Sequence, residues 1–372
     1  MRIVHISHSE INSDSRVLKM LTVCKDLNYE YLIINPNINK KALAYFRKIG
    51  VINFKYLYKF WIYARTILMV LNKLNKFKPD IIHCHDWYML PASVIGKILF
   101  KSNLVYDAHE LESECQEMPK FLKKFAKYVE RIAWNYIDFF ITVSESIQQW
   151  YLKNYGHKNS ILILNSPELM STNSEKISTK NFNLRSIFNL KPEDLVYIYS
   201  GLLTQGRGIE IMLESFSKTD TNSVLVFLGD GPLIDMIKSY NEQNENIFIH
   251  QKVSHDEVTK IVSSADYGLC LIEDVSLSDR YSLPNKLFEY IFAGLPVVAS
   301  ELPEIKKIIL DNKFGVIINP SVENLMNVLY ENSLLAIVPK VTDMKSISHL
   351  SWESQALKLG QIYSSVSDSI KL

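Results

Sequence analysis

Short apolar segments alternate along the first half of the chain with longer segments whose apolar residues recur at helical spacing. The short segments predict β-strands at 2–7, 31–35, 80–85, 103–109, 138–144 and 160–166. Helical spacing predicts helices over 15–27, from about 91 onward, and over 145–155. Strand–helix alternation of this kind is typical of a parallel sheet with helices on both faces.

The same alternation restarts after a polar stretch. Residues 166–190 are rich in Ser, Thr, Asn and Lys, which favours a linker. Beyond it, strands are predicted at 194–201, 223–231, 247–250, 265–272, 295–300 and 315–319, and helices over 208–217 and 285–293. The pattern predicts an α/β protein with two Rossmann-like, doubly wound parallel-sheet domains, 1–165 and 191–350.

The final segment, 351–372, continues the apolar pattern. Trp352, Leu357, Leu359 and Ile362 recur at helical spacing, and a helix with such an apolar face must pack against a folded domain. The chain has 372 residues, of which 47% are hydrophobic, enough to form two cores.

Charge is divided unevenly between the two halves. The formal net charge is +1, but residues 1–165 carry 23 Lys and Arg against 14 Asp and Glu, and the remainder carries 18 against 26. A basic first half predicts an anionic partner, for which a membrane surface and nucleic acid are both candidates.

Cysteine usage and the N-terminus bear on the compartment. The four cysteines are scattered without disulfide or metal-ligand spacing, which favours isolated thiols in a reducing compartment. The first apolar run is too short for a signal peptide, and no uncharged apolar stretch is long enough to span a membrane. We therefore expect a cytoplasmic protein.

Polar side chains follow the predicted strands in both halves. Ligands of open α/β sheets bind beyond the carboxyl ends of the strands, so these residues predict two binding faces that line a central cleft. The residues are Asp14, Arg16, Asp86, His109, Glu110, Arg207, Gly208, Asp230, Ser282, Asn285, Lys286 and Glu289.

Residues 282–300, SLPNKLFEYIFAGLPVVAS, carry the strongest local signal. Pro284 favours a helix start just after it, and Lys286 then stands in the first turn, where a cation opposes the helix dipole unless an anion is near. Glu289 lies one turn further on the same face. Phosphate held by Lys286 and ribose held by Glu289 is one interpretation. A surface ion pair between the two is the other.

A second candidate phosphate site is the turn around Arg207. Gly206 and Gly208 flank this arginine just before a predicted helix, an arrangement that suits a phosphate but also an ordinary surface turn. The first strand is followed by no GxGxxG motif, and the chain contains no Walker loop, which disfavours a nicotinamide dehydrogenase.

Several segments, in the right order, resemble the family 4 glycosyltransferases of the bacterial surface-polysaccharide type, whose two-domain fold is called GT-B. The segments are NSDSRVLKM (12–20), HCHDWYMLPAS (83–93), LVYDAHELESE (104–114), FITVSESI (140–147), LILNSP (162–167), YSGLLTQGRGIE (199–210), LGDGP (228–232) and residues 282–300. The resemblance implies a retaining transfer of sugar from a UDP- or GDP-linked donor to a lipid-linked or saccharide acceptor in surface polysaccharide biosynthesis.

The resemblance also implies roles for individual residues. Arg207 and Lys286 would neutralise the diphosphate, Glu289 would bind the ribose, and His109 would lie near the donor sugar. Further donor contacts are implied for Asp14, Arg16, Gly208, Val253, Ser282, Asn285 and Leu287. Among these, Val253 falls where such enzymes hold the base through backbone groups. The terminal helix would cross back onto the first domain.

Two positions depart from the family pattern. Many relatives carry a glutamate pair spaced E-x7-E, of which the second matches Glu289 and the first falls on Tyr281. Leu202 stands where an arginine is usual, and Arg207 takes the place of a lysine. Donor-sugar contacts therefore cannot be copied from relatives, and Lys286 is expected to carry more of the diphosphate charge.

The implied mechanism is a front-face attack on an oxocarbenium-like centre. The chain shows no carboxylate pair of the double-displacement kind, so the leaving phosphate would take the proton of the acceptor. Protein cations would stabilise the charge that grows on the diphosphate. Because no DxD motif occurs, we expect no essential metal and no other cofactor.

Two stretches, 45–78 and 119–134, interleave cations with aromatic residues. The cations expected to face an anionic membrane or a polyprenyl-diphosphate-linked acceptor are Lys55, Lys59, Arg65, Lys120, Lys123, Lys124 and Lys127. Basic amphipathic helices suit the inner face of the cell membrane, where the protein would be peripheral. Ordinary solvated helix faces are the alternative. Nucleic acid is disfavoured because no base-reading motif is present.

Two other functions fit the same fold. A sugar-nucleotide 2-epimerase would form product without an acceptor, but would not need the two basic stretches. A non-catalytic partner that binds nucleotide or lipid would tolerate the changes at Tyr281 and Leu202. The two alternatives differ from a transferase in whether donor turnover occurs and whether an acceptor is required.

Overall fold

The computed structural model describes residues 1–8, 14–36, 52–116, 118–168, 182–331 and 346–368. The chain forms two compact units. Unit 1 comprises Met1–Ile163 together with Gln355–Leu372, and unit 2 comprises Leu164–Ser354.

Unit 1 is built on a six-stranded parallel sheet whose strand order is β2-β1-β3-β4-β5-β6. The central strands are buried on both faces and mostly apolar because helices cover both sides, as in other parallel sheets. The strands are β1 Arg2–Ile6, β2 Glu30–Ile34, β3 Ile81–His85, β4 Asn103–Ala108, β5 Phe139–Thr142 and β6 Ser160–Leu162. Its helices are α1 Ser15–Asp26, α2 Ile52–Phe77, α3 Leu90–Phe100, α4 Lys120–Ala133 and α5 Glu145–Tyr155.

Strand register gathers polar side chains on one face of this sheet. His5 of β1 pairs with His83 of β3, and His85 of β3 pairs with Asp107 of β4. Because residues two apart on a strand point to the same side, all four side chains share one face. The relative exposure of each of the four is 0%.

The C-terminal helix, α14 Trp352–Asp368, supplies a cover for this polar face. Tyr363 is fully buried, and its hydroxyl lies 2.8 Å from Nδ1 of His83. Leu359 and Ile362 are buried as well, whereas Leu357 is 71% exposed and lies off the packed face.

Unit 2 contains a second six-stranded parallel sheet, with the order β12-β11-β10-β7-β8-β9. Its strands are β7 Leu195–Leu202, β8 Ser223–Asp230, β9 Ile247–His250, β10 Tyr267–Cys270, β11 Val297–Ser300 and β12 Gly315–Ile318. The helices are α6 Leu184–Ile187, α7 Ile209–Lys218, α8 Ile234–Gln243, α9 His255–Val262, α10 Leu277–Arg280, α11 Asn285–Phe292, α12 Pro303–Asn312 and α13 Val322–Tyr330. The order reverses between β7 and β10, and a reversal of this kind opens a crevice at the carboxyl ends of the strands.

The stretch 166–190, expected to be a linker, ends in packed structure. Leu184 of α6 is fully buried in the core of unit 2, and Phe182, Phe188 and Leu190 pack against that core. The polar composition of the stretch hid these four apolar side chains, which gain a partner only in the folded unit. Residues 169–181 lie outside the described part of the chain. The predicted α/β class, with two doubly wound parallel sheets, is confirmed.

Candidate functional site

The crevice of unit 2 lies where the loop after β7 passes close to β10. Gly208, at the N-terminus of α7, has a φ of 71°, and a Cβ added there would lie 2.4 Å from the carbonyl oxygen of Leu271. Only glycine fits this approach without strain or a shift of the backbone. The loop therefore holds Arg207 at the carboxyl edge of the sheet.

Carboxylates already contact the groups expected to bind phosphate. Nη1 of Arg207 donates to Oδ1 of Asp279 at 3.1 Å, and the backbone N–H of Gly208 donates to Oε1 of Glu273 at 3.2 Å. The side chain of Asp279 is fixed in turn by the hydroxyl of Ser276, which caps α10. Sequence reasoning missed both carboxylates, because each lies more than sixty residues from its partner.

Lys286 stands in the first turn of α11, as predicted. Its Nζ lies 3.4 Å from the ring centroid of Tyr199, and a Cβ added at Gly201 would lie 3.5 Å from the same nitrogen. The ammonium group is therefore at the carboxyl end of β7. This is the strand that ends at Leu202, whose side chain is exposed.

The charge of Lys286 is poorly compensated. Among the described residues, no carboxylate forms an ion pair with its Nζ, in contrast to Arg207, which has Asp279. Burial lowers the pKa of Lys286 to about 7, and the charge of Arg207 adds to this, while Cys270 and Glu289 act in the opposite sense. An anionic ligand at the end of β7 would restore the charged form.

Glu289 lies one turn beyond Lys286 and is nearly buried, at 9% exposure. Its Oε2 accepts a hydrogen bond of 3.1 Å from the hydroxyl of Ser200, and the hydroxyl of Tyr290 accepts from the backbone N–H of Ser200. The end of β7 is thus tied to α11 at two points. Ser200 was not predicted, although a serine at the end of an apolar strand is a usable signal.

The remaining predicted donor contacts lie around α10 and α11 or after β9. Ser282 donates its hydroxyl to the carbonyl of Asp279, and Asn285 is exposed at the first position of α11. The side chain of Leu287 is fully buried, so only its backbone is available to a ligand. Val253 packs partly against the core of unit 2. The donor roles of these four residues stay predictions.

In unit 1, His109 follows β4 and lies among acidic groups. Its Nε2 is 3.0 Å from Nδ1 of His85 and 3.3 Å from Oδ2 of Asp107, and its Nδ1 is 3.7 Å from Oδ2 of Asp86. Burial by itself would lower the pKa of His109, but the carboxylates of Asp86 and Asp107 raise it to about 9.

Arg16 is buried and directed into the protein. Its Nε and Nη2 donate to the two oxygens of Asp107 at 2.9 and 2.7 Å, and its Nη1 donates to the carbonyl of Ile163. Although burial would raise the pKa of Asp107, Arg16 and His109 hold it well below its usual range. The geometry gives Arg16 protein partners on all three nitrogens. The donor contact implied by the family resemblance stays a prediction.

Asp14 caps α1. Its side chain accepts from the backbone N–H of Val17 at 3.1 Å, which is an ordinary N-cap interaction. The cap fixes the start of α1 and thereby helps to place Arg16, which reaches Asp107 of β4. A ligand contact by Asp14 stays a prediction.

Two groups of side chains have metal-binding spacing. The ligand atoms of His5, His83 and His85 lie within 4.8 Å of one another, as do those of His85, Asp107 and His109. The second group fits a cation poorly, because Arg16 donates to the Asp107 oxygen that would bind it. In the first group, Nδ1 of His5 and Nε2 of His85 are 3.0 Å apart, a hydrogen-bonding distance. The arrangement favours a hydrogen-bonded network.

Helix α4 carries the second basic stretch and an exposed apolar stripe. The four residues Phe121, Phe125, Tyr128 and Ile132 recur at helical spacing and are between 49% and 68% exposed. We call them the α4 stripe. Lys120 and Lys124 are exposed beside it, Lys123 is half-buried, and Lys127 pairs with Glu114 at 2.5 Å.

Neighbouring helices extend the apolar surface. On α3, Ile98 and Leu99 are more than half exposed, and on α2, Leu68 is 67% exposed. Arg65 of α2 is exposed and lies over the ring of Trp61 at 5.5 Å. Lys55 and Lys59 belong to α2, but their side chains lie outside the described part of the chain. Among the described helices, none is long and apolar enough to cross a bilayer.

Sequence comparison with curated proteins finds distant relatives. The chitobiosyldiphosphodolichol beta-mannosyltransferase of Debaryomyces hansenii is 22% identical over 253 residues, covering 61% of this chain and 53% of that protein. An uncharacterized glycosyltransferase of Methanocaldococcus jannaschii is 23% identical over 258 residues, covering 67% of this chain and 65% of that protein. The chain spans about half the length of the mannosyltransferases it matches.

Solved structures share the fold over the whole chain. Sucrose-phosphate synthase from Thermosynechococcus elongatus has a TM-score of 0.74 at 14% identity, covering 99% of this chain and 100% of that one. HepE of Anabaena, in complex with UDP-glucose, has a TM-score of 0.72 at 12% identity, covering 98% and 100%.

Family models match successive parts of the chain. The model for Glycosyltransferase Family 4 matches residues 16–165, and the model for Glycosyl transferases group 1 matches residues 194–331. Together they account for most of both sheets, and the structural likeness extends over the whole chain. The chain is therefore a glycosyltransferase of the family 4 type, with the two-domain GT-B fold.

Proposed function

We propose that this protein is a retaining glycosyltransferase that moves a sugar from a nucleotide-sugar donor to a lipid-linked or saccharide acceptor in surface polysaccharide biosynthesis. The observation that carries the proposal is the cation of Lys286 at the end of β7, beside the topological switch point, without a carboxylate partner among the described residues. A site of this kind suits the diphosphate of a sugar nucleotide.

The donor contacts follow from the positions around α11. Lys286 and the free N–H groups at the start of α11 would hold the diphosphate, and Glu289, one turn on, would accept from the ribose hydroxyls. Arg207 would share the diphosphate charge, with Asp279 in contact on its other side. The Anabaena neighbour was solved in complex with UDP and with UDP-glucose, which supports a UDP-sugar as the first donor to test.

The chemistry proposed is a front-face substitution with retention at the anomeric carbon. The bond from the anomeric carbon to the phosphate oxygen breaks as the acceptor oxygen attacks on the same face, and that phosphate takes the acceptor's proton. Arg207 and Lys286 would stabilise the negative charge that grows on the leaving diphosphate. No step in this scheme uses a metal ion or another cofactor.

The acceptor is proposed to be a polyprenyl-diphosphate-linked sugar at an anionic membrane. The α4 stripe, flanked by Lys120, Lys123 and Lys124, combines exposed aromatic side chains with positive charge, a combination that suits an anionic lipid surface. The dolichol-linked acceptor named for the fungal relatives supports the same class of substrate. The protein would then be cytoplasmic and peripheral on the inner face of the membrane.

The deciding experiment screens UDP-, GDP- and ADP-sugars for thermal stabilisation and then for turnover with a lipid-linked acceptor. We expect one donor to raise the melting temperature, and Glu289→Gln to weaken that shift. Glu242→Gln, an exposed carboxylate on α8, is the matched control and should leave the shift unchanged. If no sugar nucleotide shifts the melting temperature, the proposal fails.

The same assay separates the two alternatives. An epimerase would release an epimerised sugar nucleotide in the absence of acceptor, which NMR of the donor detects. A non-catalytic partner would bind the donor without hydrolysis or transfer under any acceptor condition. A transferase is expected to form a new glycosidic bond whose anomeric configuration matches that of the donor.

A further inference from the structure

A continuous chain of polar side chains runs inward from His109 in unit 1. Nε2 of His109 lies 3.0 Å from Nδ1 of His85, and Nε2 of His85 lies 3.0 Å from Nδ1 of His5. Beyond His5, the hydroxyl of Tyr363 is 3.4 Å from Nε2 of His5 and 2.8 Å from Nδ1 of His83. All members except His109 are fully buried.

The hydrogen bonds in such a chain must all donate in the same direction. A neutral imidazole has one N–H and one lone pair, so a ring that accepts at one nitrogen donates at the other. Burial lowers the pKa of His5, His83 and His85, which keeps these three rings neutral. The chain therefore donates either inward, from His109 toward His83, or outward, from His83 toward His109.

Asp107 selects the inward direction. Its Oδ2 lies 3.3 Å from Nε2 of His109 and 3.8 Å from Nε2 of His83. Nδ1 of His85 lies 3.5 Å from the same oxygen and would present an N–H to it only in the outward direction. In that direction, however, the nitrogens of His109 and His83, which include the nearest one, would both turn a lone pair toward the carboxylate, which is repulsive. In the inward direction both present an N–H to it, and Nε2 of His83 gains an acceptor although it forms no close hydrogen bond. His109 therefore carries a proton on Nε2.

Asp86 fixes the second ring nitrogen. Its Oδ2 lies 3.7 Å from Nδ1 of His109, and its Oδ1 accepts from the backbone N–H of His109 at 3.1 Å. A lone pair on Nδ1 would face this carboxylate, so this nitrogen also carries a proton. We propose that Asp86, Asp107 and His85 are positioning residues that hold His109 as a permanent imidazolium, with both N–H groups directed into the protein.

The backbone at Asp86 supports a dedicated positioning role. Asp86 has a φ of 58° and a ψ of 166°, a region that residues other than glycine rarely adopt. Its N–H donates to the carbonyl of Asp107 and its own carbonyl accepts from the thiol of Cys84. Strain held in this way marks positions where an exact orientation of a side chain has a function.

The charged groups that face His109 come from three neighbouring elements, and the two carboxylates among them favour this state. Asp86 follows β3 and Asp107 lies on β4, and both carboxylates raise the pKa of His109. Glu112, which follows β4, has its own pKa raised well above its usual range by burial, Asp86 and Glu110, although His109 acts in the opposite sense. Arg16 of α1 opposes the positive charge, but it is neutralised by its two bonds to Asp107. Burial would lower the pKa of His109, and the carboxylates raise it to about 9.

The inference deepens the proposed function and rests on it for its catalytic meaning. An imidazolium that carries a proton on both nitrogens cannot accept the acceptor's proton, so His109 would act as a fixed positive charge at the carboxyl edge of the unit 1 sheet. Another group must then take the acceptor's proton, which agrees with its proposed transfer to the departing phosphate.

Nitrogen-15 NMR of histidine-labelled full-length protein, without donor and with EDTA present, tests the proposal directly. We expect His109, assigned with His109→Gln, to show two protonated nitrogens at pH 7.5 and to titrate near pH 9. His5, His83 and His85 should be neutral at pH 7.5, because burial lowers the pKa of each. In Asp86→Asn the midpoint of His109 should fall by about one unit or more.

The control variant is Asp26→Asn, which removes the charge of an exposed carboxylate at the end of α1. It should leave the titration midpoint of His109 unchanged. A neutral His109 at pH 7.5, or signals that move when EDTA is omitted, would overturn the proposal. If Asp86→Asn does not fold, the wild-type titration alone decides. Because the NMR titration uses no sugar-nucleotide donor, it is independent of the transferase assay. A failure of that assay would contradict the proposed function without changing the conclusion about the protonation of His109.

A transferase assay adds a second measurement, the pH dependence of turnover, which would not change if Asp86 had only a structural role. Turnover by the wild type should decline as pH rises through about 9, and in Asp86→Asn the decline should begin at least one unit lower. An unchanged pH profile in a folded Asp86→Asn variant would contradict the positioning role.

Discussion

The ammonium nitrogen of Lys286 lies 3.4 Å from the centre of the Tyr199 ring, at the end of β7 and without a carboxylate partner in the part of the chain that the structure describes. A half-buried cation held against an aromatic face is costly, since a ring replaces only part of its hydration. Such a free-energy cost is expected at a binding site, where an anionic ligand supplies the missing negative charge.

Lys286→Met should weaken nucleoside diphosphate binding by tenfold or more, roughly the loss of one charge-assisted contact. The same change should stabilise the unliganded protein near pH 8, because it removes a lysine that must give up its proton on folding. Calorimetric titration with UDP or GDP and thermal melts measure the two effects. Lys238→Met, on the exposed face of α8, should change neither.

Binding through Lys286 should also depend on pH. The pKa of Lys286 in the free protein is about 7, below its ordinary value, so above pH 7 the ligand must bind a site that first takes up a proton. Affinity for the diphosphate should therefore fall as pH rises from 7 to 9. The slope should disappear in Lys286→Met, and an equal slope in that variant would contradict the assignment.

Gly208→Ala should destabilise unit 2 by about 2–4 kcal/mol, combining left-handed backbone strain with overpacking. The added Cβ would stand 2.4 Å from the Leu271 carbonyl oxygen. Urea denaturation measures the loss. Gly156→Ala is the matched control, since Gly156 has a φ of 103° but no atom within 4 Å of an added Cβ. An equal loss in both variants would rule out the steric contribution.

The buried carboxyl group of Glu130, on α4, should make the free energy of unfolding depend on pH. Its carboxylate accepts from the hydroxyls of Tyr106, Tyr151 and Tyr155, and burial raises its pKa to about 7 against those hydrogen bonds. A folded-state pKa above the ordinary value favours the protonated form. The stability it contributes is complete below about pH 4.5 and is lost as pH rises through 7.

Glu130→Gln keeps a neutral hydrogen-bonding group in the same place. We expect wild type and variant to unfold alike near pH 5, and the wild type to lose on the order of 2 kcal/mol relative to the variant by pH 7.5. Urea denaturation at the two pH values measures the difference. A constant difference between the two proteins across this range would mean that Glu130 does not titrate there.

The α4 stripe predicts binding to anionic lipid. Phe125→Glu should lower sedimentation with vesicles of phosphatidylcholine and phosphatidylglycerol by about tenfold, because one large apolar contact is lost and a negative charge is added. Binding should also weaken with salt. Leu357→Glu, which alters an exposed leucine on α14, is the control and should have little effect. Equal losses of vesicle binding in the two variants would show that a negative charge added anywhere on the surface is enough, and would contradict a role for the α4 stripe.

Local patterns in the sequence determined a large part of this protein. Alternating short apolar runs and helical spacing predicted both sheets, because a buried parallel strand and an amphipathic helix each have a period that is visible within a few residues. The relation of Lys286 to Glu289 was also local, since three residues along a helix fix two side chains on one face. The family resemblance extended this to the function class.

Only the tertiary structure decided which distant side chains meet. Arg16 reaches Asp107 across 91 residues, and His83 reaches Tyr363 across 280, so neither contact has a signal in local spacing. Strand order and register place them together on one buried face. The same holds for Lys286 on Tyr199 and for Leu184 in the core of unit 2. Sequence period specifies which face of an element is buried, whereas the partner on that face is set by how the elements are arranged in the sheet.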